Sequence, residues 1–148
     1  MPDVRPGVDF EALVIAYLRA SSLVEDYAGP DAVGKRLPRG WAPGPDGSPG
    51  FVRVTRIGGA PDPRDPVGHV ARARLQIDAY AATTADAFDL AAVVVAELLR
   101  LPRSGWRYSG AVVNAVQLAR DVADRQDSTT EIPGYFAEVV LVGHAVGV

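Results

Sequence analysis

The residues from Gly29 to Arg36 read GPDAVGKR, a glycine, four residues and then Gly-Lys. That is the opening of a phosphate-cradling loop, which also needs Ser or Thr after the lysine, because its hydroxyl ligates magnesium. Arg36 stands there instead. Pro30 stiffens the backbone that would wrap the phosphate. The preceding SSLVEDYA reads as the tail of a helical region, and the following LPRG cannot begin a helix. The segment is therefore expected to be a turn leading into an edge strand, with no nucleotide bound. The two histidines, His69 and His144, lack a third histidine, any cysteine or an H-E-x-x-H helix to complete a zinc site. Asp121, Asp124 and Asp127 supply fragments of a calcium loop without its glycine turn and closing glutamate. Asp78, Asp86 and Asp89 could be drawn as a carboxylate cluster, but Asp86 is better used at a helix N-terminus. No G-x-S-x-G elbow is present. We expect no catalytic, cofactor-binding or metal-binding residues.

The arginines are more informative. Arg53, Arg72 and Arg74 fall on the non-core faces of strands, and Arg56, Arg64 and Arg107 lie near turns. Three readings stay open: a solvated face with ion pairs, a subunit interface, or the lining of a DNA channel. Arginine is enriched at interfaces because its fork pairs bidentately while its stem stays apolar. A net charge of -3 weakens the channel reading. Arg53, Arg72, Arg74, Arg56 and Arg64, with Trp41 from a Pro/Gly loop, are the candidate interface residues.

Several elements must position these side chains. Phe10, Leu13, Val14, Tyr17 and Leu18 recur at helical spacing up to about Ala20. Asp9 is placed to cap that helix, and Ser21 and Ser22 fall near its end. Ala32 to Pro38 reads as a short edge strand, with Val33, Lys35 and Leu37 on one side. Arg39 to Gly50 is a Pro/Gly loop. FVRVTRI, Phe51 to Ile57, is a strand with Val52 and Val54 facing inward, ended by Gly58 and Gly59. A second Pro-rich loop leads to a long alternating strand, Val70 to Tyr80, whose Ala71, Ala73, Leu75, Ile77 and Ala79 share one face. Thr83 to Arg100 is the best helix. Thr83 and Asp86 resemble a capping box, Phe88, Ala91, Ala92, Val95 and Leu99 form the apolar stripe, and Pro102 forbids continuation. Ala111 to Leu118 and Tyr135 to Val142 are two further strands, and the polar stretch between them is expected to be a solvated turn or loop. The order is α-β-β-β-α-β-β. It implies an α+β fold, a mostly antiparallel or mixed sheet packed by two helices on one face. The expected core is Phe10, Leu13, Val14, Tyr17, Val52, Val54, Leu75, Ile77, Phe88, Ala92, Val95, Leu99, Val139 and Leu141.

The composition supports one globular domain over residues 1–148: 48% of residues are hydrophobic and 22% charged, so a chain of this length can build a core without staples. The absence of cysteine removes disulfides, thiolate metal sites and cysteine nucleophiles, and fits assembly in a reducing cytosol. The first residues, MPDVRPGVDF, carry no apolar run of signal-peptide type. The longest apolar stretch, Leu90 to Ala96, is far short of the ~20 residues a membrane span needs.

VGKRLP, a Pro/Gly loop and FVRVTRIGG follow one another as in the N-terminal half of phage tail terminators. ARARLQIDAYAATTADAFDLAAVVVAELL continues the resemblance, with Phe88, Asp89, Leu90 and Ala91 as the aromatic-Asp-Leu-Ala run that opens the family's helix. Pro133 to Val142 matches its closing strand. The sequence thus resembles, over roughly Phe10 to Val142, the tail terminators of long-tailed phages, especially those of actinobacteria. It departs from them in the charged segment Arg120 to Glu131. The resemblance implies a homo-oligomeric ring, typically six-fold, in the neck of the virion tail, assembled in the host cytoplasm. Such a ring docks on the finished tail tube, stops tube polymerisation and offers a surface to the head-side connector or stopper protein. DNA passes through it without specific binding, and neither catalysis, cofactor nor membrane is implied. Another head–tail connector or stopper is the alternative within the same class. A small enzyme using Arg39 to Gly50 as a lid, or a monomeric binding module, are the alternatives outside it.

Overall fold

The structure, a computed structural model, describes residues 9–44, 48–58, 70–124 and 132–145. The first helix, α1 (Phe10–Ala20), begins where Asp9 accepts a hydrogen bond from the Ala12 amide at 3.0 Å. Ser21 leaves the helical conformation and its hydroxyl accepts from the Val24 amide, so it ends α1 and caps a second helix, α2 (Ser22–Ala28). Gly29, at a φ of 90° that favours glycine, ends α2.

The strands are β1 (Val33–Gly34), β2 (Gly50–Gly58), β3 (Val70–Ala81), β4 (Arg107–Tyr108), β5 (Ala111–Asp124) and β6 (Gly134–Ala145). They form one sheet in the order β1-β2-β3-β6-β5-β4, in which β1 runs parallel to β2 and every other pair is antiparallel. Between β3 and β4 lie helix α3 (Thr84–Arg100) and a single 3-10 turn, Leu101–Arg103, that holds Pro102. Thr83 caps α3 by accepting from the Asp86 amide at 3.1 Å, the backbone half of the expected box. The α+β class and mixed sheet match the sequence reading; α2, the 3-10 turn and β4 are elements that reading did not include. Each is too short to show a period.

The core fills the space between the sheet and the helices. Val52, Val54, Ala73, Leu75, Ile77, Ala79, Val139 and Leu141 come from the sheet, and Phe10, Leu13, Val14, Leu18, Leu90, Val94 and Leu98 from the helices. Two glycines allow the closest approaches. A Cβ at Gly50 would stand 2.8 Å from Leu90 Cδ2, and one at Gly143 would strike the Val112 carbonyl and come within 3.0 Å of the Phe10 ring.

Four expectations are corrected. α3 buries Ala87, Leu90, Ala91, Val94, Val95 and Leu98, so the inward stripe is rotated from the expected one. Phe88 and Leu99 are each 46% exposed and Ala92 is half-buried; none of the three belongs to the core. The helix is apolar on two neighbouring stripes, and periodicity alone cannot choose between them. The strand expected from Ala32 to Pro38 shrinks to Val33–Gly34, with Lys35 exposed and Leu37 half-buried. The polar stretch after Leu118 is not all loop, since residues 119–124 continue β5 beside β6. There a backbone ladder overrides a polar composition with no helix or strand period of its own. Residues 125–131, and residues 59–69 with Arg64 and His69, where the sequence predicts a Pro-rich loop, lie outside the described residues.

Substitutions on adjacent positions of α3 read out the rotation directly. Leu98→Ala should cost about 2–5 kcal/mol, the range for emptying a packed site, whereas Leu99→Gln should stay within about 0.5 kcal/mol. Leu75→Ala on the sheet side should match the Leu98 loss. Urea titration of the three variants measures all of these costs; equal losses at Leu98 and Leu99 would show that both stripes are buried.

Candidate functional site

The arginines of the sheet fall into two groups. Arg53 reaches across to Asp78, its cross-strand partner on β3, and donates from Nε at 3.1 Å and Nη2 at 3.0 Å. Asp78 is fully buried although it alternates with the core residues Ile77 and Ala79. Its second oxygen accepts from Gln76 Nε2 at 3.1 Å. The Arg53 guanidinium also lies 6.0 Å from the centre of the Tyr80 ring, which is itself buried. Further along the sheet Arg74 pairs with Glu138 at 2.6 Å, and Arg120 lies 4.7 Å over the Phe136 ring. This face is thus a polar and aromatic layer tied within the subunit, with the carboxylate at its centre shielded from water. Arg72 and Arg56, by contrast, are exposed and have no ion partner among the described residues.

Trp41 turns back on its own subunit. Its indole N–H donates to Ser48 Oγ at 3.0 Å, and its ring lies 5.9 Å from that of Phe51. Ser48 in turn donates to the Gly50 carbonyl at 2.6 Å. The described ends of the Pro/Gly loop are thereby fastened to the start of β2.

The remaining sequence candidates are dispersed. The segment Gly29 to Arg36 follows a helix and enters β1, the reverse of the strand-to-helix order a phosphate loop requires. His144 Nδ1 meets Asn114 Oδ1 at 2.7 Å across β5 and β6. Asp86 and Asp89 lie on α3, while Asp78 is held by Arg53 on the opposite face of the sheet. Asp121 accepts from the Val122 amide. Among the described residues no three His, Asp or Glu side chains are grouped to hold a metal ion.

Two concave features were not foreseen. The first is a cleft of about 300 Å³ between α1, α2 and α3, lined by Tyr17, Ser21, Glu97, Arg100 and Trp106. Glu97 is its hub, accepting from Ser21 Oγ at 3.1 Å and Arg100 Nη1 at 3.2 Å, while its backbone carbonyl accepts from the Tyr17 hydroxyl at 2.9 Å. The buried Trp106 indole N–H has no partner among the described residues. Burial raises the Tyr17 hydroxyl above its ordinary pKa, and the neighbouring Glu97 charge adds to that. The second is a groove of about 290 Å³ between the outward stripe of α3 and the far end of β5. Phe88, Ala92, Val95, Ala96 and Leu99 form one wall, and Asp121 and Val122 the other. Phe88 stacks edge-on against Tyr135 with ring centres 5.4 Å apart. Sequence could have flagged this groove only as the second apolar stripe of the helix.

This architecture is an α+β fold, a mixed six-stranded sheet under helices. A chain in the structure described as "Virion of native gene transfer agent (GTA) particle" superposes with a TM-score of 0.69 at 20% identity, covering 91% of this chain and 94% of that one. No family model and no curated protein sequence matches the chain.

Two variants test the buried polar groups. Asp78→Ala leaves the half-exposed Arg53 without its carboxylate and should cost about 1–3 kcal/mol, measured by denaturant unfolding. Tyr17 titrates later in the folded state than in the unfolded chain, so its share of stability is complete below the ordinary tyrosine pKa and falls away at more alkaline pH. Tyr17→Phe should lower stability by about 0.5–1.5 kcal/mol at neutral pH through the lost hydrogen bond, and should flatten the alkaline decline. An unchanged slope above pH ~10 would mean other groups govern it.

Proposed function

We propose that this protein is a structural subunit of a phage-type virion that works as a ring. The ring, typically six-fold, caps the tail tube, ends its polymerisation and gives the head-side connector or stopper its docking surface. The observation that carries this reading is the likeness to a virion chain over nearly the full length of both molecules. The order of strand and turn motifs, from VGKRLP to the closing strand at Val142, points to the same class. The surface suits assembly. Ile57, Phe88, Leu99 and Leu118 are apolar side chains each more than a third exposed, alongside Arg56 and Arg72, which have no ion partner among the described residues. Function then resides in subunit contacts, with DNA crossing the ring unspecifically, and no reaction or cofactor is assigned. The arginine-bearing face, Arg72 above all, contributes to those contacts.

The experiment is assembly on purified tail tubes of the cognate phage, followed by negative-stain imaging. Rings should cap tube ends and fix tube length. Arg72→Glu should lower capping several-fold while leaving the unfolding midpoint unchanged, because the side chain has no partner within the described subunit. Rings that bind the head-side connector and ignore tubes would move the protein to the stopper position. A protein that stays monomeric with both would end the ring reading.

A further inference from the structure

The two outer ends of the sheet are capped only in part. β4 covers β5 at Ala111 and Val112 alone, and β1 covers β2 at Val52 and Arg53 alone. Among the described residues nothing pairs with the outer side of β5 beyond Val112, or with that of β2 beyond Arg53. Every residue from Asn114 to Asp121 except Val116 is exposed. An edge of that length is a template for another strand.

The two open stretches occupy the same rungs of the sheet. Thr55 is carried across by Gln76 and Glu138 to Arg120. Arg56 is carried by Leu75 and Val139 to Leu118, and Gly58 by Arg74 and Val140 to Gln117. Three antiparallel steps separate the strands, so β5 runs opposite to β2. A rotation about an axis along the strands therefore brings β5 of one subunit beside β2 of the next in antiparallel sense, with open rungs level. The side chains agree. Ile57 is 42% exposed at one edge and Leu118 38% exposed at the other. Arg56, without an ion partner among the described residues, stands at the β2 edge, while Asp121 and Asp124 stand at the β5 edge. The apolar groove under the outer stripe of α3 opens beside β5 at Asp121 and Val122, where side chains of an added strand would enter. A two-fold β5-to-β5 contact would leave the β2 edge bare, whereas one head-to-tail contact uses both edges.

We propose that the subunits join edge to edge, β5 of one copy adding to β2 of the next, so that one sheet continues around the ring. This rests on the ring reading and names its interface. The chain has no cysteine, which makes the test clean. Within one subunit Ile57 and Leu118 are three strand spacings apart, roughly 14 Å, too far for a disulfide. The full chain carrying I57C and L118C together, oxidised on tail tubes or at assembling concentration, should give a covalent ladder ending at a closed ring. The two single-cysteine proteins mixed one to one should give a dimer that neither gives alone. Rings seen by negative stain without the ladder would overturn the edge-to-edge contact and leave the ring reading standing. Dimers from the L118C variant alone, with no mixed dimer, would replace it with the two-fold contact. Absence of rings and of tube binding in the unmodified protein would sink the ring reading and this inference together.

Discussion

Helix α3 carries apolar side chains on two adjacent stripes, and the sheet beneath it can cover only one. Leu90, Val94 and Leu98 go down onto β3 and β6, which fixes the helix over the middle of the sheet. Phe88, Ala92 and Leu99 are then left along its outer flank. Burying both stripes would require another strand beyond β5, whose outer side is paired by no described residue past Val112. The same contact that builds the core therefore creates the apolar groove.

The opposite face of the sheet is organised around a charge. Asp78 is out of contact with water, and such a carboxylate is tolerated only when paired and hydrogen-bonded. Arg53 and Gln76 supply that, and Tyr80 roofs the arginine. A pair of this kind adds modest net stability but penalises a slipped register strongly, because a one-residue shift would put Asp78 among the core side chains. β2 and β3 are thus locked in the register that levels the open edges. Irregularities in β5 around Asn114, Ala119 and Asp121–Val122, and in β2 around Ile57, interrupt both edges, and charged residues flank several of them. Natural sheets use such devices against indiscriminate pairing.

Much of this was legible in the sequence, for a physical reason: α1, the long alternating strand β3 and the ends of α3 express local rules. Asp9 and Thr83 cap helices from their own turns, Pro102 stops α3, and period two separates Leu75 and Ile77 from Arg74 and Gln76. Of the arginine face, the alternation placed Arg53 and Arg74 off the core side, but Asp78 and Glu138 as their partners required the pairing of β3 with β2 and β6.

The sequence by itself determined which segments could bury a face. Tertiary structure alone decided which stripe of α3 is inside, because two neighbouring apolar stripes differ in what lies beneath them. It also turned residues 119–124 from a polar stretch into strand, since the β6 ladder supplies hydrogen bonds that composition does not announce. The length of sheet edge left open follows from where β1 and β4 stop, which no single segment encodes.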